Sequence, residues 1–208
     1  MDLAEVVRRR RMVRRYRPDP VEPAALTRIL DTARRAPSAG FSQGQHFVVV
    51  TDPGDRARLA AVCGEPAYAA AGFEPWLSSA PVHVVPCVRR AEYLARYRAP
   101  DKASSTPPDE WRVPFWWVDA GAALMLLLLA AVDEGLGAGL LAVDDVAGVR
   151  ALLALPADVE PLGVVTIGHP APDRRSRSLD RGRRPLDEVV HDGRWRSGRD
   201  EDAGGRGC

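Results

Sequence analysis

The apolar positions change period along the chain, and each change marks an element. Leu3, Val6 and Val7 form a short stripe behind Asp2 and Glu5, which are spaced as a capping box, so a first helix runs to about Arg11. Leu26, Ile29, Leu30 and Ala33 fall at i, i+3, i+4 and i+7 behind Pro23, a residue suited to the first helical position. That second helix ends at Ala36-Pro37. The run HFVVVT (46–51) reads as a buried strand, Pro53-Gly54 turns the chain, and residues 55–63 form a helix. Residues 64–80, with Tyr68, Phe73 and Trp76 among alanines, fit neither period. VHVVPCV (82–88) is a second strand, expected at an edge or irregular because Pro86 has no N–H. Residues 98–114 carry four prolines and the lone lysine, the composition of a lid, a binding loop or a mobile segment.

Residues 120–132 are apolar on every side of a helix. Leu124, Leu126, Leu127, Leu128 and Leu129 cannot all face one small core, because successive helical residues turn by roughly 100°. Such a helix is surrounded by its own fold, by a second subunit or by lipid. Lipid is the weakest choice, since a span needs about 20 apolar residues and Asp119, Asp133 and Glu134 bound this run. A core helix with a partner subunit on its other half fits best, with Leu127 expected at that contact. Gly135 stops the helix, residues 139–143 are a short strand, and Asp144 or Asp145 caps a helix reaching about Leu155. LGVVTI (162–167) is a further buried strand. The arginine-rich arm that follows has a few apolar residues (Leu186, Val189, Val190) with nothing local to pack on, so it is expected to cross to another subunit. Residues 196–208 hold no core residue and are expected to be disordered. Four strands separated by helices indicate a layered α/β or α+β domain over residues 1–195.

Charge narrows the partners. The net charge is +1, which gives no overall field for nucleic acid or anionic membrane. Lys102 is the only lysine, so any phosphate site must use arginine, and seven arginines lie between Arg8 and Arg17. These are a solvated basic face, a nucleic-acid arm or an anion grip; on a helix, Arg10 and Arg14 would share one face. Cys63, Cys87 and Cys208 are an odd number without C-x-x-C spacing, which points to a reducing compartment, and MDLAEVVRRRR lacks the apolar core of a signal peptide. A cytoplasmic protein is expected. Gly135, Gly137 and Gly139 follow a helix, where a dinucleotide fingerprint would follow a strand. The four histidines lack metal-ligand spacing, and no G-x-S-x-G elbow is present.

Three separated segments together resemble the nitroreductase family of flavoproteins. They are RRRMVRRYRPDPV (9–21), ARRAPSAGFSQGQHFVVV (33–50) and the closing GRRPLDEVVHDGRW (182–195), with the apolar helix and GLGAGLLAV between them. The resemblance implies an α+β, three-layer α-β-α fold whose mixed central sheet is completed by the partner's C-terminal strand. It implies a homodimer with FMN at the subunit interface and NAD(P)H as electron donor. Arg10, Arg11 and Met12 match the family's first phosphate and ribityl contacts, and Arg14 the basic residue near the flavin's pyrimidine edge. Pro37, Ser38, Ala39, Phe41 and Gln43 match the partner-subunit loop over the isoalloxazine. Leu140, Leu141 and Ala142 match the loop whose backbone reaches flavin N5, and Arg181 and Arg183 the closing pair on the phosphate. Phe41 stands where the family usually has Asn, and Gly44-Gln45 where it has Pro-Trp. With the tryptophans at 111–117, Phe41 points to an aromatic-walled substrate cavity.

The implied chemistry is a ping-pong hydride transfer from NAD(P)H through FMN to a nitroaromatic, quinone or activated alkene, with no side-chain acid or base required. A deazaflavin-linked reductase or a flavin-fragmenting enzyme would keep the same fold. A flavin-binding or sequestering protein without turnover is the non-enzymatic alternative. No nucleic acid and no membrane enter any of these readings.

Overall fold

Val82, Val84, Val85, Cys87 and Val88 are all buried, so the strand they form is covered on both faces. This strand, β2 (Val82–Arg89), is the spine of the computed structural model, which describes residues 1–173 and 176–195. It pairs antiparallel with β1 (Gln45–Val50) on one side. On the other it pairs with β4 (Val159–Pro161) and β5 (Val164–Gly168), also antiparallel. The last strand, β3 (Gly137–Leu141), lies against β5, giving the order β1-β2-β5-β3. A parallel bridge between Met12 and Ala138 makes the sheet mixed.

β2 is interior, contrary to the edge position that Pro86 suggested. The missing N–H falls where β2 changes neighbours from β5 to β4, and there the Pro86 carbonyl accepts from the Leu162 amide at 2.8 Å. The ladder therefore loses no bond at Pro86.

Strand alternation sorts the core into two layers. Val82, Val84, Val165 and Ile167 face α2 (Pro23–Ala33) and α6 (Phe115–Asp133), through Ile29, Ala33, Leu127, Leu128 and Ala131. Val85, Cys87 and Val164 face the opposite way, onto Leu59 of α3 (Pro53–Val62) and Val149 of α7 (Val146–Leu152). The result is three layers, helix on sheet on helix. Three shorter helices complete the set: α1 (Leu3–Arg9), α4 (Glu65–Ala70) and α5 (Arg90–Tyr97). The apolar pattern does not signal α5, because Tyr93 alone is buried from it. Residues 98–114 hold two short 3-10 turns, Pro100–Lys102 and Pro108–Glu110.

By length and composition α6 could cross a bilayer, yet 44% of its apolar window is buried inside the chain's own fold. Leu127 is fully buried among Ile29, Val84 and Val165, so it is a core residue of the single chain and not a subunit contact. The exposed side of α6 carries Phe115, Trp117, Val118 and Met125 instead.

The chain divides into two compact units, Met1–Asp173 and Arg174–Cys208. The first holds the whole sheet. The second is described over residues 176–195, where two 3-10 turns occur, Arg177–Arg181 and Leu186–Glu188. Leu186, Val189 and Val190 are exposed there. The tail at 196–208 lies outside the described residues.

Candidate functional site

α1 ends at Arg9, with Arg10 as its C-cap in an extended conformation (φ −57°, ψ 122°). Arg10 and Arg14 therefore do not share a helical face, as the arginine spacing suggested. The chain beyond Arg10 instead runs along the outer edge of β3. Met12 bridges Ala138, the Val13 amide donates to the Ala138 carbonyl at 2.9 Å, and the Met12 side chain packs on the core layer of α2 and α6. Tyr16 locks the segment from below. Its hydroxyl donates to the Val13 carbonyl at 2.9 Å and lies 2.7 Å from Thr166 Oγ1, and burial pushes the phenol's pKa well up.

Two glycines make this approach feasible. A Cβ on Gly137 would stand 2.8 Å from Val13 Cγ2, and one on Gly139 would collide with the Val13 carbonyl. Their spacing is explained by close backbone packing, not by a nucleotide fingerprint.

Of the seven arginines between Arg8 and Arg17, three are ion-paired: Arg9 with Glu5, Arg15 with Glu74 and Arg17 with Asp19. Within the first unit Arg8, Arg10, Arg11 and Arg14 have no carboxylate salt bridge. Arg14 holds its main chain by donating its amide to Asp173 Oδ2 at 3.0 Å, while its guanidinium lies 5.8 Å over the ring of buried Trp76. The three arginines singled out by resemblance are thus among those without a salt bridge inside the first unit.

Leu140 and Leu141 are half-buried at the end of β3, opposite Val165 and Val164, and Ala142 is exposed just beyond. The parallel bridge at Ala138 brings this strand end and the Met12 segment onto neighbouring backbone. Arg181 and Arg183 lie in the second unit, on either side of Gly182 (φ +70°), and both are exposed.

The loop of residues 37–43 is anchored elsewhere. The Ala39 amide donates to Asp119 Oδ2 in α6 at 2.8 Å, and Arg96 Nε of α5 donates to the Gly40 carbonyl at 2.8 Å. The Gln43 amide donates to Ser38 Oγ at 2.9 Å. Pro37, Phe41 and Gln43 are exposed. Gly44 is required next to them, because any Cβ there would collide with the Tyr93 ring. The loop thus faces outward from α5 and α6, while the arginines line the β3 edge.

Asp119, Tyr93 and Arg96 were not visible as site residues from sequence. Asp119 read as a charge opening an apolar run, yet it is buried and also accepts from the Tyr93 hydroxyl at 2.9 Å. Burial and then Asp119 push the Tyr93 phenol up, so it stays a donor. Around it Trp111 and Trp116 stack with centroids 6.0 Å apart, and Phe115 and Tyr97 meet Trp111 edge-on. Lys102, the only lysine, sits 5.3 Å over the Tyr97 ring.

The geometry is that of a basic backbone strip at a sheet edge with an outward loop prepared by a separate pair of helices. Residues 7–169 match the model of the nitroreductase family. An NADH dehydrogenase of Thermus thermophilus is 30% identical over 201 residues, covering 91% of this chain and 95% of its own. The FMN reductase [NAD(P)H] of Bacillus subtilis is 32% identical over 187 residues, covering 87% of this chain and 69% of its own. In three dimensions the chain is similar to the NADPH:FMN oxidoreductase of Vibrio harveyi complexed with NAD+, with a TM-score of 0.71 at 24% identity, over 93% of this chain and 78% of that one. A match over most of the length makes this chain a member of the nitroreductase family of oxidoreductases.

Proposed function

We propose that the protein is an FMN-dependent NAD(P)H oxidoreductase that works as a homodimer. The observation that carries this reading is the set of arginines at the β3 edge, Arg10, Arg11 and Arg14, that have no carboxylate salt bridge within the first unit, beside Arg9, Arg15 and Arg17, which are paired. Guanidinium forks match phosphate oxygens, so arginines without a carboxylate partner in their own unit suit a phosphate-bearing ligand. By the resemblance, Arg10 and Arg11 would hold the FMN phosphate, Met12 would lie on the ribityl chain and Arg14 toward the pyrimidine edge; Arg181 and Arg183 are assigned to the phosphate on the resemblance alone. When bound, FMN would supply the redox chemistry, taking a hydride from NAD(P)H and passing two electrons to a nitroaromatic, quinone or activated alkene.

The protein's own part is positioning. Leu140, Leu141 and Ala142 would form a backbone floor beside the bound flavin. Pro37, Ser38, Ala39, Phe41 and Gln43 would cover it from the partner subunit, which suits a loop fixed to α5 and α6 and facing away from its own β3 edge. A second subunit would also cover the apolar outer face of α6, at Phe115, Trp117, Val118 and Met125. The same reading has the C-terminal arm, with exposed Leu186, Val189 and Val190, crossing to the partner and adding a strand there. Nucleic acid and membrane have no part in it, and the protein works in the cytoplasm.

Steady-state oxidation of NADH and NADPH by the FMN-loaded protein, with a quinone as acceptor, tests this function. Parallel lines in double-reciprocal plots support ping-pong turnover. A flavin-loaded protein with no turnover of either nucleotide would contradict it.

A further inference from the structure

We propose that Asp119 is a positioning residue for the acceptor side of the site: its buried carboxylate holds the Ala39 amide and so fixes the left-handed backbone that presents Phe41. The inference rests on residues 37–43 being the loop that covers the flavin.

Asp119 is 7% exposed, in the second turn of α6, and its Oδ2 accepts both from the Ala39 amide and from the Tyr93 hydroxyl. No guanidinium or ammonium among the described residues of the first unit forms a salt bridge with it. A buried carboxylate without a cation is costly to keep, and it persists where its hydrogen bonds hold something specific. Bonds to a carboxylate are also shorter and stronger than bonds to a neutral acceptor.

What they hold is strained. Gly40, Phe41 and Gln43 have φ of +61°, +58° and +54°, a region that glycine occupies freely and Phe and Gln do not. Local bonds shape the turn: the Phe41 amide donates to the Ser38 carbonyl at 2.8 Å, and Ser42 Oγ donates to the Ala39 carbonyl at 2.6 Å. Among the described residues, two hydrogen bonds tie residues 39–41 to the helices behind, Ala39 to Asp119 and Gly40 to Arg96. The strain at Phe41 is not offset by burial, because the residue is 73% exposed. A strained backbone that displays an aromatic ring to solvent is arranged for a contact outside this fold. Under the proposed function that contact is the planar acceptor above the flavin, where the family usually has Asn.

The test uses the FMN-loaded protein as Asp119→Leu, which removes the acceptor, and Asp119→Asn, which keeps it. Stopped-flow measurement of flavin reduction by NADH isolates the donor half, and the KM for menadione reads the acceptor half. Misplacing the loop in Asp119→Leu should raise the menadione KM by about tenfold or more and shift the visible flavin band. Asp119→Asn should stay within about threefold of wild type, since its amide oxygen can take both donors. An Asp119→Leu protein with full FMN, an unshifted spectrum and an unchanged KM would overturn the proposal, as would an Asn variant as impaired as Leu. Should Asp119→Leu not fold, amide exchange in the wild-type protein decides. Protection of the Ala39 amide by about a hundredfold or more over an unstructured chain supports the clamp, and unprotected exchange refutes it. A wild-type chain that binds no flavin contradicts the proposed function alone, and the exchange measurement still judges the clamp.

Discussion

The carbonyl of Val13 occupies the space that any side chain on Gly139 would need, so the arginine segment and β3 fit together only because position 139 is glycine. The same contact is bonded, through the Val13 amide on Ala138. Gly139→Ala must therefore push residues 10–14 off the strand edge. Overpacking of this kind costs about 1–3 kcal/mol. The expected outcome is a lowered melting temperature together with weaker FMN retention. Unchanged retention would separate the strand edge from the cofactor.

The arginines divide by their partners. Arg10→Ala and Arg183→Ala should each weaken FMN binding by about 10- to 100-fold, the loss of one charge-assisted hydrogen-bond set. Arg58→Ala, which removes the guanidinium paired with Asp55 on α3, should leave the dissociation constant unchanged. Fluorescence titration of apoprotein with FMN measures all three. Equal effects from Arg58 and Arg183 would remove the phosphate assignment.

Two residues on α6 should behave differently. Met125 is 47% exposed and Leu127 is fully buried. Met125→Glu is expected to yield a folded monomer by sedimentation. Leu127→Ala should leave association intact but destabilise each subunit by about 2–5 kcal/mol through a cavity. A stable dimer from Met125→Glu would show that this face of α6 is not the subunit contact.

His83 makes stability depend on pH near neutrality. It is fully buried, its Nε2 lies 2.7 Å from the Leu77 carbonyl, and Nδ1 has no hydrogen-bond partner among the described residues. Burial, with Arg56 adding, holds its pKa below the usual 6.5 against the opposing pull of the Leu77 carbonyl and Glu65. Between that lowered value and 6.5 the unfolded chain binds the extra proton, so stability rises with pH through this interval and is fully expressed above it. Urea midpoints should fall as pH drops from 7 toward 5. In His83→Gln that slope should flatten; an unchanged slope would assign it to other groups.

Much of this was legible in the apolar pattern, and the exceptions have physical causes. Ile29 and Ala33 at helical spacing located α2, and the valine runs located β1, β2 and β5; in β2 and β5 burial on both faces leaves continuous apolar strings. Pro86 misled because its missing N–H falls where two neighbouring strands meet, a feature of tertiary structure. β4 is three residues long, and α5 buries only Tyr93, so neither has a period to read. The arginine and loop segments were found through resemblance. Asp119 was missed because nothing local shows that a carboxylate at the start of an apolar helix turns inward to hold a loop 80 residues away.

The most direct measurement is the visible absorbance of the purified protein, with mass analysis of the small molecule released by heat. The expected result is a yellow protein that releases FMN at about one per subunit, held by the phosphate and backbone contacts proposed for the β3 edge. A colourless protein that also fails to bind added FMN would contradict the assignment of Arg10, Arg11, Arg14, Arg181 and Arg183 to a flavin, and with it the proposed function.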